Sequence, residues 1–297
     1  MPPQPAVPRR FRGFGCFDWS GAAVARPPGI ACATCGEGGT APVLLTPEGG
    51  WTRHAALAWL RAQADAQADL LIGIDFSAAL PFADRGAYFP GWSESPAGAR
   101  GLWALAERLG AGDPHLAAGA LPDHPEASRH YRRHGGRRGD LFEGSEGRFR
   151  VTERAARAQG VPAVSSLNLV GAAQVGKASL SGMRLLHRLG GRLPVWPFDP
   201  VPRSGPLIVE IYTGIAARDA GGRRGRSKLR DAAALDAALA ALGSTRPAPL
   251  ARYDDHSTDA MLGAAWLRYA ARDPALWHPP ALDPALAASE GWTFGVR

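Results

Sequence analysis

The run Leu70-Leu71-Ile72-Gly73-Ile74, which ends at Asp75, constrains the fold of this chain more than any other segment. Such a short apolar run predicts a strand that is buried on both faces. Residues 51 to 66 precede it and carry apolar side chains at helical spacing with Arg and Asp between them, which predicts an amphipathic helix. A helix that leads directly into a doubly buried strand is typical of a parallel central strand. The segment therefore predicts an α/β protein.

Further elements follow from the same periodicities. Apolar runs separated by Gly turns predict an antiparallel meander and one later buried strand, at residues 11 to 17, 29 to 35, 41 to 46 and 206 to 212. Helical patterns occur at residues 97 to 109, 180 to 189, 231 to 242 and 257 to 271. The last of these helices is apolar nearly all round, so we expect it to pack deep against the sheet. We predict one α/β domain over residues 11 to 297, a mixed sheet flanked by helices, behind a flexible Pro-rich arm at residues 1 to 10.

The composition argues against a membrane-spanning helix and a disulfide framework. The 297 residues contain no uncharged apolar run of about eighteen residues, because Arg, Asp, Gly or Pro interrupts each Ala-rich stretch. The N-terminal arginines are not followed by the continuous apolar stretch of an export signal, so we expect a cytoplasmic protein without a membrane partner. Three cysteines are too few for a disulfide framework, and Cys32 and Cys35 lack the second pair of a typical zinc site. We interpret all three as buried thiols.

The positive charge is concentrated in two segments. The formal net charge is +7, and 32 of the 34 basic residues are arginine. Residues 129 to 157 hold nine arginines against four acidic residues, and residues 218 to 230 hold six basic residues against one acid, so each segment carries +5 and the rest of the chain −3. This distribution predicts an anionic partner, and we expect nucleic acid. The alternative is that both segments are solvated, partly disordered loops.

Particular residues in these segments are candidate nucleic-acid contacts. In the second segment, basic residues alternate with Gly and Ser, which is typical of a loop that contacts phosphates without reading bases; the candidates are Arg223, Arg224, Arg226 and Lys228. Residues 111 to 150 are rich in Gly, His and Arg with little periodicity, which predicts a long, mobile basic insertion. Three of its side chains could stack on bases: His130, Tyr131 and His134.

Acidic residues end several of the apolar elements. They are Asp18 after the first strand, Asp75 after the central strand, Glu210 in the late strand and Asp259 in the last helix. A carboxylate in such a position is costly to desolvate unless it has a partner. Because ligands bind outside the carboxyl ends of the strands of an α/β sheet, we expect these acids to converge there. Mg²⁺ or Mn²⁺ would relieve their repulsion, and two such ions would support the cleavage of a phosphodiester by water.

The segment DHSTDA, at residues 255 to 260, offers more than one ligand. A spacing of three or four residues places His256 or Asp255 on the same helix face as Asp259, so either could be a second ligand on this helix. Helix capping is the alternative explanation for the acids at the start of the segment, since the positive end of the helix dipole favours them. Asp259 fits capping less well, because an apolar stretch follows it at once.

Four segments in order resemble a known family. They are FDWSG at residues 17 to 21, IGIDFSAALP at 72 to 81, VEIY at 209 to 212 and DHSTDA at 255 to 260. Together they resemble the predicted RNase H-like nucleases grouped as domain of unknown function 429, over most of the chain. The resemblance implies a ribonuclease H-like fold with four presumed metal ligands, which map onto Asp18, Asp75, Glu210 and Asp259. The pattern around His256 is also similar to the final-helix motif of Holliday-junction resolvases.

Residues 171 to 178, GAAQVGKA, nearly match the phosphate-binding loop GxxxxGK[ST]. Ala178 stands where that loop needs a hydroxyl to contact magnesium, so we do not predict a P-loop. Lys177 in this Gly-rich turn is still a candidate phosphate contact.

These observations predict a nuclease that depends on Mg²⁺ or Mn²⁺ and hydrolyses phosphodiester bonds in DNA or RNA. The four strand-end and helix acids would be catalytic, and Asp255 or His256 would complete the metal ligands. One alternative is an ATPase or phosphotransferase of the actin and sugar-kinase type, which is built on the same core but normally needs two such domains. A second alternative is a nucleic-acid-binding module without catalysis. The oligomeric state is left open.

Overall fold

The computed structural model describes residues 6–171, 175–222 and 228–297, and six strands of these residues form one mixed sheet. The strands are β1 (Gly13–Asp18), β2 (Ala31–Gly36), β3 (Val43–Leu45), β4 (Leu70–Asp75), β5 (Val195–Trp196) and β6 (Leu207–Glu210). Their order across the sheet is β3-β2-β1-β4-β6-β5. Strand β2 is antiparallel to β1 and β3, whereas β1, β4, β6 and β5 are parallel. The predicted α/β class with a mixed sheet is confirmed.

Eleven α-helices occur in the described ranges. They are α1 (Arg53–Asp65), α2 (Ala99–Leu109), α3 (Ala120–Asp123), α4 (Pro125–Ser128), α5 (Val151–Ala158), α6 (Val175–Leu189), α7 (Thr213–Asp219), α8 (Ala232–Ala241), α9 (Asp255–Ala270), α10 (Pro274–Trp277) and α11 (Pro284–Ser289). Side chains of Thr52, Asp231 and Asp254 accept hydrogen bonds from first-turn amides of α1, α8 and α9, which fixes where these helices begin. Over the same ranges, every helix is too short or too polar to cross a lipid bilayer.

Helix α9 covers one face of the sheet. Its Ala264 belongs to an apolar cluster that includes Cys16 of β1, Leu71 of β4 and Val209 of β6. Gly263 allows this close approach, because a Cβ atom at that position would lie 2.3 Å from Sγ of Cys16. The prediction that the helix at residues 257 to 271 packs deep against the sheet is confirmed, although two short helices, α10 and α11, follow it.

Helices α1, α2 and α6 cover the other face. Since side chains alternate along a strand, Phe17 of β1 and Ile74 of β4 point to this layer and away from α9. There they share a buried apolar cluster with Leu60 of α1, Trp103 of α2 and Leu185 of α6.

Several elements differ from the sequence-based expectation. Helix α6 begins at Val175 rather than at residue 180, so Lys177 lies inside the helix and not in a turn. Strand β5 and six helices of eight residues or fewer were not predicted, because such short elements give little periodic signal; the helices are α3, α4, α5, α7, α10 and α11. The other main predicted strands and helices are present, with their ends shifted by a few residues.

Residues 111 to 150 are packed against the domain, contrary to the prediction of a mobile insertion. Leu121, Tyr131 and Phe142 are buried in the same cluster as the helices on that face. Six of the nine arginines of the basic segment at residues 129 to 157 form ion pairs with acidic side chains, namely Arg129, Arg133, Arg137, Arg148, Arg150 and Arg157. Their charge is therefore largely balanced within the chain.

The predicted base-stacking residues of this segment are also mostly inaccessible. Tyr131 and His130 are 0% and 2% exposed, so neither ring is available to a base, whereas His134 is exposed.

The N-terminal arm is attached at Arg9, which pairs with Asp69 and donates a hydrogen bond to the carbonyl oxygen of Gly205 (2.8 Å).

The three cysteines are buried free thiols, as predicted. Burial raises the pKa of each thiol, so Cys16, Cys32 and Cys35 remain protonated at neutral pH.

Candidate active site at the carboxyl ends of β1 and β4

Asp18 and Asp75 are register partners at the carboxyl ends of adjacent parallel strands. Paired residues on neighbouring strands point to the same face of a sheet, and the strands lie about 4.8 Å apart, so the two side chains are neighbours. Cys16 of β1 points toward α9, and side chains two residues apart on a strand point to the same face, so Asp18 points toward α9 as well. Its register partner Asp75 points the same way. Two carboxylates are thus held side by side on the α9 face at the edge of the sheet where ligands of α/β proteins bind.

The first turns of α9 bring two further groups to this edge. Nδ1 of His256 lies 2.6 Å from Oδ2 of Asp18. Asp259, three residues later, is buried and lines the same cleft as Asp18 and Asp75. Asp254 caps the helix by accepting a hydrogen bond from the amide of Ser257 (2.9 Å), so capping accounts for this acid but not for Asp259.

Lys228 places its ammonium group between two carboxylates of α9. Its Nζ atom lies 2.9 Å from Oδ2 of Asp259 and 3.7 Å from Oδ2 of Asp255. Although burial lowers the pKa of this lysine, the neighbouring negative charges of Asp259 and Asp255 raise it overall, so the side chain is cationic. Predicted as a phosphate contact, Lys228 is here a counter-ion of the acidic site.

Thr213 supports Asp75 and was missed from the sequence. Its hydroxyl donates a hydrogen bond of 2.7 Å to Oδ2 of Asp75. Thr213 is the first residue of α7, which follows β6 closely, so the helix start lies beside the end of β4. A threonine three residues after an acid-bearing strand is the signal that could have identified it.

The buried aspartates and their neighbours shift one another's pKa values. Burial, followed by the negative charge of Asp18, raises the pKa of Asp75 to about 7. Burial also raises the pKa of Asp259 to about 6, although Lys228 opposes the shift. The pKa of Asp18 is raised by burial against the opposing hydrogen bond from His256, and that same hydrogen bond raises the pKa of His256. Such shifts are expected where carboxylates share a desolvated site.

Glu210 lines the same cleft as Asp18, Asp75 and Asp259, but it reaches the cleft from the other face of the sheet. It is the register partner of Ile74, one residue before Asp75, so its side chain lies on the opposite face from Asp18 and Asp75. Both of its oxygens bind Arg150, at 2.5 and 2.9 Å, and they also accept hydrogen bonds from the Thr293 hydroxyl and the Ala78 amide. These partners neutralise Glu210 and occupy its oxygens, so it is a structural carboxylate and not a free ligand.

The other predicted site residues lie outside the aspartate group. Asp255 faces Arg230 (3.3 Å) and Lys228 at the margin, which leaves His256, and not Asp255, in contact with Asp18. Lys177 is half-buried in α6, where Gly21 packs on its backbone, and it does not line the cleft. Arg223, Arg224 and Arg226 lie outside the described residues.

Asp18 and Asp75 are the two carboxylates at the carboxyl ends of the central strands that could contact a divalent cation. Among residues 6–171, 175–222 and 228–297, no group of three or more His, Cys, Asp or Glu side chains is arranged so that it could hold a metal ion. Mg²⁺ does not need such a cage, since it is usually bound through one or two carboxylates with water and substrate phosphate. Asp18 and Asp75 provide two carboxylates as register partners on adjacent strands, and burial raises the pKa of both.

The aspartates line one part of a cleft of about 580 Å³. The remainder is lined mostly by small and apolar side chains from α5, from the chain at residues 163 to 164, and from the starts of α6 and α7. The volume lies within the range of cavities that bind small molecules. Comparisons with protein-family models, with curated proteins and with solved structures each gave no match to this chain.

Proposed function

We propose that this protein is a hydrolase that cleaves phosphodiester bonds of nucleic acid with the help of Mg²⁺ or Mn²⁺, on a ribonuclease H-like fold. The observation that carries the proposal is the side-by-side placement of Asp18 and Asp75 at the sheet edge, with Asp259 in the same cleft. The resemblance to domain of unknown function 429 implies acids on a first strand and a fourth strand, a later Glu and an acid on a final helix. Asp18 on β1, Asp75 on β4 and Asp259 on α9 correspond to three of these acids, whereas Glu210, which corresponds to the later Glu, is bound to Arg150.

In this proposal, Asp18 and Asp75 hold the cation, and two neighbours hold them in place. His256 fixes the orientation of Asp18 through Nδ1, and Thr213 fixes Asp75 through its hydroxyl. A cation bound there would lower the pKa of a water molecule and offset the negative charge that develops on the phosphate. Asp259 and Lys228 would complete the charge balance at the α9 side.

The phosphotransferase alternative has less support. It needs two domains of the same kind, and the described part of the chain forms one six-stranded sheet. A binding module without catalysis would share the positive charge but would not require paired carboxylates at a sheet edge.

The test is hydrolysis of labelled single-stranded and double-stranded DNA and RNA by the purified protein with Mg²⁺ or Mn²⁺. We expect products that disappear on chelation, and a loss of at least about hundredfold in Asp18→Asn and in Asp75→Asn, because several kcal/mol of charge stabilisation would be removed. Asp65→Asn, at the exposed end of α1, is the matched control and should keep full activity. Cleavage that survives both chelation and Asp18→Asn would refute the proposal. Salt-sensitive binding of nucleic acid without cleavage would favour the binding module.

A further inference from the structure

Contacts between neighbouring segments hold in place the part of the cleft that lies beyond Asp18 and Asp75. The Tyr212 hydroxyl donates a hydrogen bond to the carbonyl oxygen of Pro162 (3.3 Å), which ties the end of β6 to the chain at residues 162 to 164. At Gly21, a Cβ atom would lie 2.4 Å from the backbone of Lys177 and Ala178, so the loop after β1 lies directly on α6. These contacts define a recess between α5, α6 and α7.

The recess is apolar with a few polar groups at its base. Ala156, Ala163, Val164 and Val175 line it, and they carry no polar side-chain atoms. The polar groups beside these walls are the hydroxyls of Ser77 and Thr293, and the carboxylates of Glu153 and Glu210 also line the cleft but are held by Arg150. Arg150 is 1% exposed and bound to Glu153 and Glu210, so its charge is already used. Apolar walls with a small number of placed polar groups are typical of a ligand site.

The two parts of the cleft are close enough for one small molecule to occupy both. Ser77 follows Asp75 by two residues, so their Cα atoms are at most about 7 Å apart. This is comparable with the distance from the phosphorus of a nucleotide to its base. The aspartate end suits a phosphate accompanied by cations, and the recess suits a flat ring with polar atoms on its edge.

We propose that the cleft holds a single nucleotide unit, with its phosphate at Asp18 and Asp75 and its base in the recess beside Ala163. This inference rests on the proposed function and narrows its substrate to a nucleotide at a strand end or a free nucleotide, rather than an internal bond of a duplex. In the reaction, the oxygen of a water molecule forms a bond to phosphorus. The bond from phosphorus to the leaving sugar oxygen breaks, and that oxygen takes up the proton that the attacking water molecule loses.

The recess can be tested separately from the metal site. Adenosine and the other uncharged nucleosides are titrated into the full chain without metal, and nucleoside monophosphates are titrated with and without Mn²⁺. We expect nucleosides to bind, monophosphates to bind more tightly with Mn²⁺, and Ala163→Trp to weaken both by about tenfold or more because it fills the recess. Ala158→Trp, on an exposed position of α5 outside the cleft, is the control and should bind like the wild type.

Several outcomes decide between the claims. If Ala163→Trp does not fold, Val164→Trp replaces it, because Val164 is 37% exposed and still lines the cleft. The proposal that the recess binds the base is overturned if Ala163→Trp leaves nucleoside binding unchanged. It is also overturned if ribose 5-phosphate binds as tightly as a nucleoside monophosphate. Nucleoside binding without any binding of Mn²⁺ supports the recess and overturns the proposed function.

Activity on different substrates distinguishes a free nucleotide from a nucleotide at a strand end. Release of phosphate from a free monophosphate identifies the free nucleotide, and stepwise shortening of a linear single strand identifies the strand end. A circular single strand of the same sequence should resist cleavage. Cleavage of the circle as fast as the linear strand would overturn the single-nucleotide proposal while supporting the proposed nuclease activity.

Discussion

Lys228 is held in an ion pair with Asp259, with Nζ 2.9 Å from Oδ2, at the cleft that Asp18 and Asp75 also line. The lysine therefore supplies positive charge at the place where the proposed function requires a cation. An ammonium group paired with Asp259 and a divalent cation held by Asp18 and Asp75 repel each other, so each weakens the binding of the other.

We expect Lys228→Met to bind Mn²⁺ about fivefold more tightly than the wild type. A half-exposed ion pair contributes at most about 1 kcal/mol, which corresponds to about fivefold in affinity. The dissociation constant for Mn²⁺ alone is measured by calorimetry. Lys177→Met is the matched control, because Lys177 is the only other lysine of the chain and does not line the cleft. Equal affinities in the wild type and Lys228→Met would show that the lysine does not compete.

The raised pKa of Asp75 predicts that the metal-free protein loses stability as the pH rises. Its pKa is about 7 in the folded protein against an ordinary value of 3.8. The folded state therefore binds more protons between these values, so this contribution to stability is full below the ordinary value and is lost as the pH rises through about 7.

Asp75→Asn removes this dependence. From about pH 5 to about pH 8, the free energy of unfolding of the wild type should fall by about 2–3 kcal/mol more than that of the variant, measured by urea denaturation without divalent cations. Asp65→Asn, which changes an exposed carboxylate, should keep the wild-type dependence. Parallel stability curves for the wild type and Asp75→Asn would contradict the assignment.

The positions of Asp18 and Asp75 could be predicted from the sequence because each follows an apolar run that must be a buried strand. Two parallel strands that end level with each other place their last residues side by side, so the convergence follows from local pattern and sheet geometry. Asp259 could be identified in the same way, since an acid inside an apolar helix needs a partner.

The face of the sheet on which Glu210 lies could not be predicted from the local sequence pattern. Glu210 also ends an apolar strand, but it pairs with Ile74 of β4 and not with Asp75. Its side chain therefore lies on the opposite face of the sheet from Asp75. Register depends on how distant segments pair, and the partner Arg150 comes from the segment predicted to be a mobile insertion. The ion pair of Lys228 was unpredictable for the same reason, because its partner is 31 residues away.

Divalent cations should stabilise the folded protein, and more so at alkaline pH. Ligand carboxylates must be deprotonated, and Asp75, with a pKa of about 7, still holds its proton at about pH 5. At a Mn²⁺ concentration of about 100 times its dissociation constant, the gain in unfolding free energy is about 2.7 kcal/mol. We expect thermal unfolding to show this gain at about pH 8, a much smaller gain at about pH 5, and none in Asp18→Asn. A stabilisation that persists in Asp18→Asn would place the cation elsewhere.

Glu210→Gln should destabilise the protein without changing its affinity for Mn²⁺. Glu210 is 4% exposed and bound to Arg150, so the substitution leaves the buried guanidinium with less negative charge nearby. Removing one partner of a buried ion pair costs about 3 kcal/mol or more, which urea denaturation measures directly. Glu143→Gln is the matched control, since Glu143 pairs with Arg85 on the surface and should change stability by less than about 1 kcal/mol. If Glu210→Gln instead abolished Mn²⁺ binding and left stability intact, Glu210 would be a metal ligand. The assignment of a structural role to Glu210, and of metal binding to Asp18 and Asp75, would then be wrong.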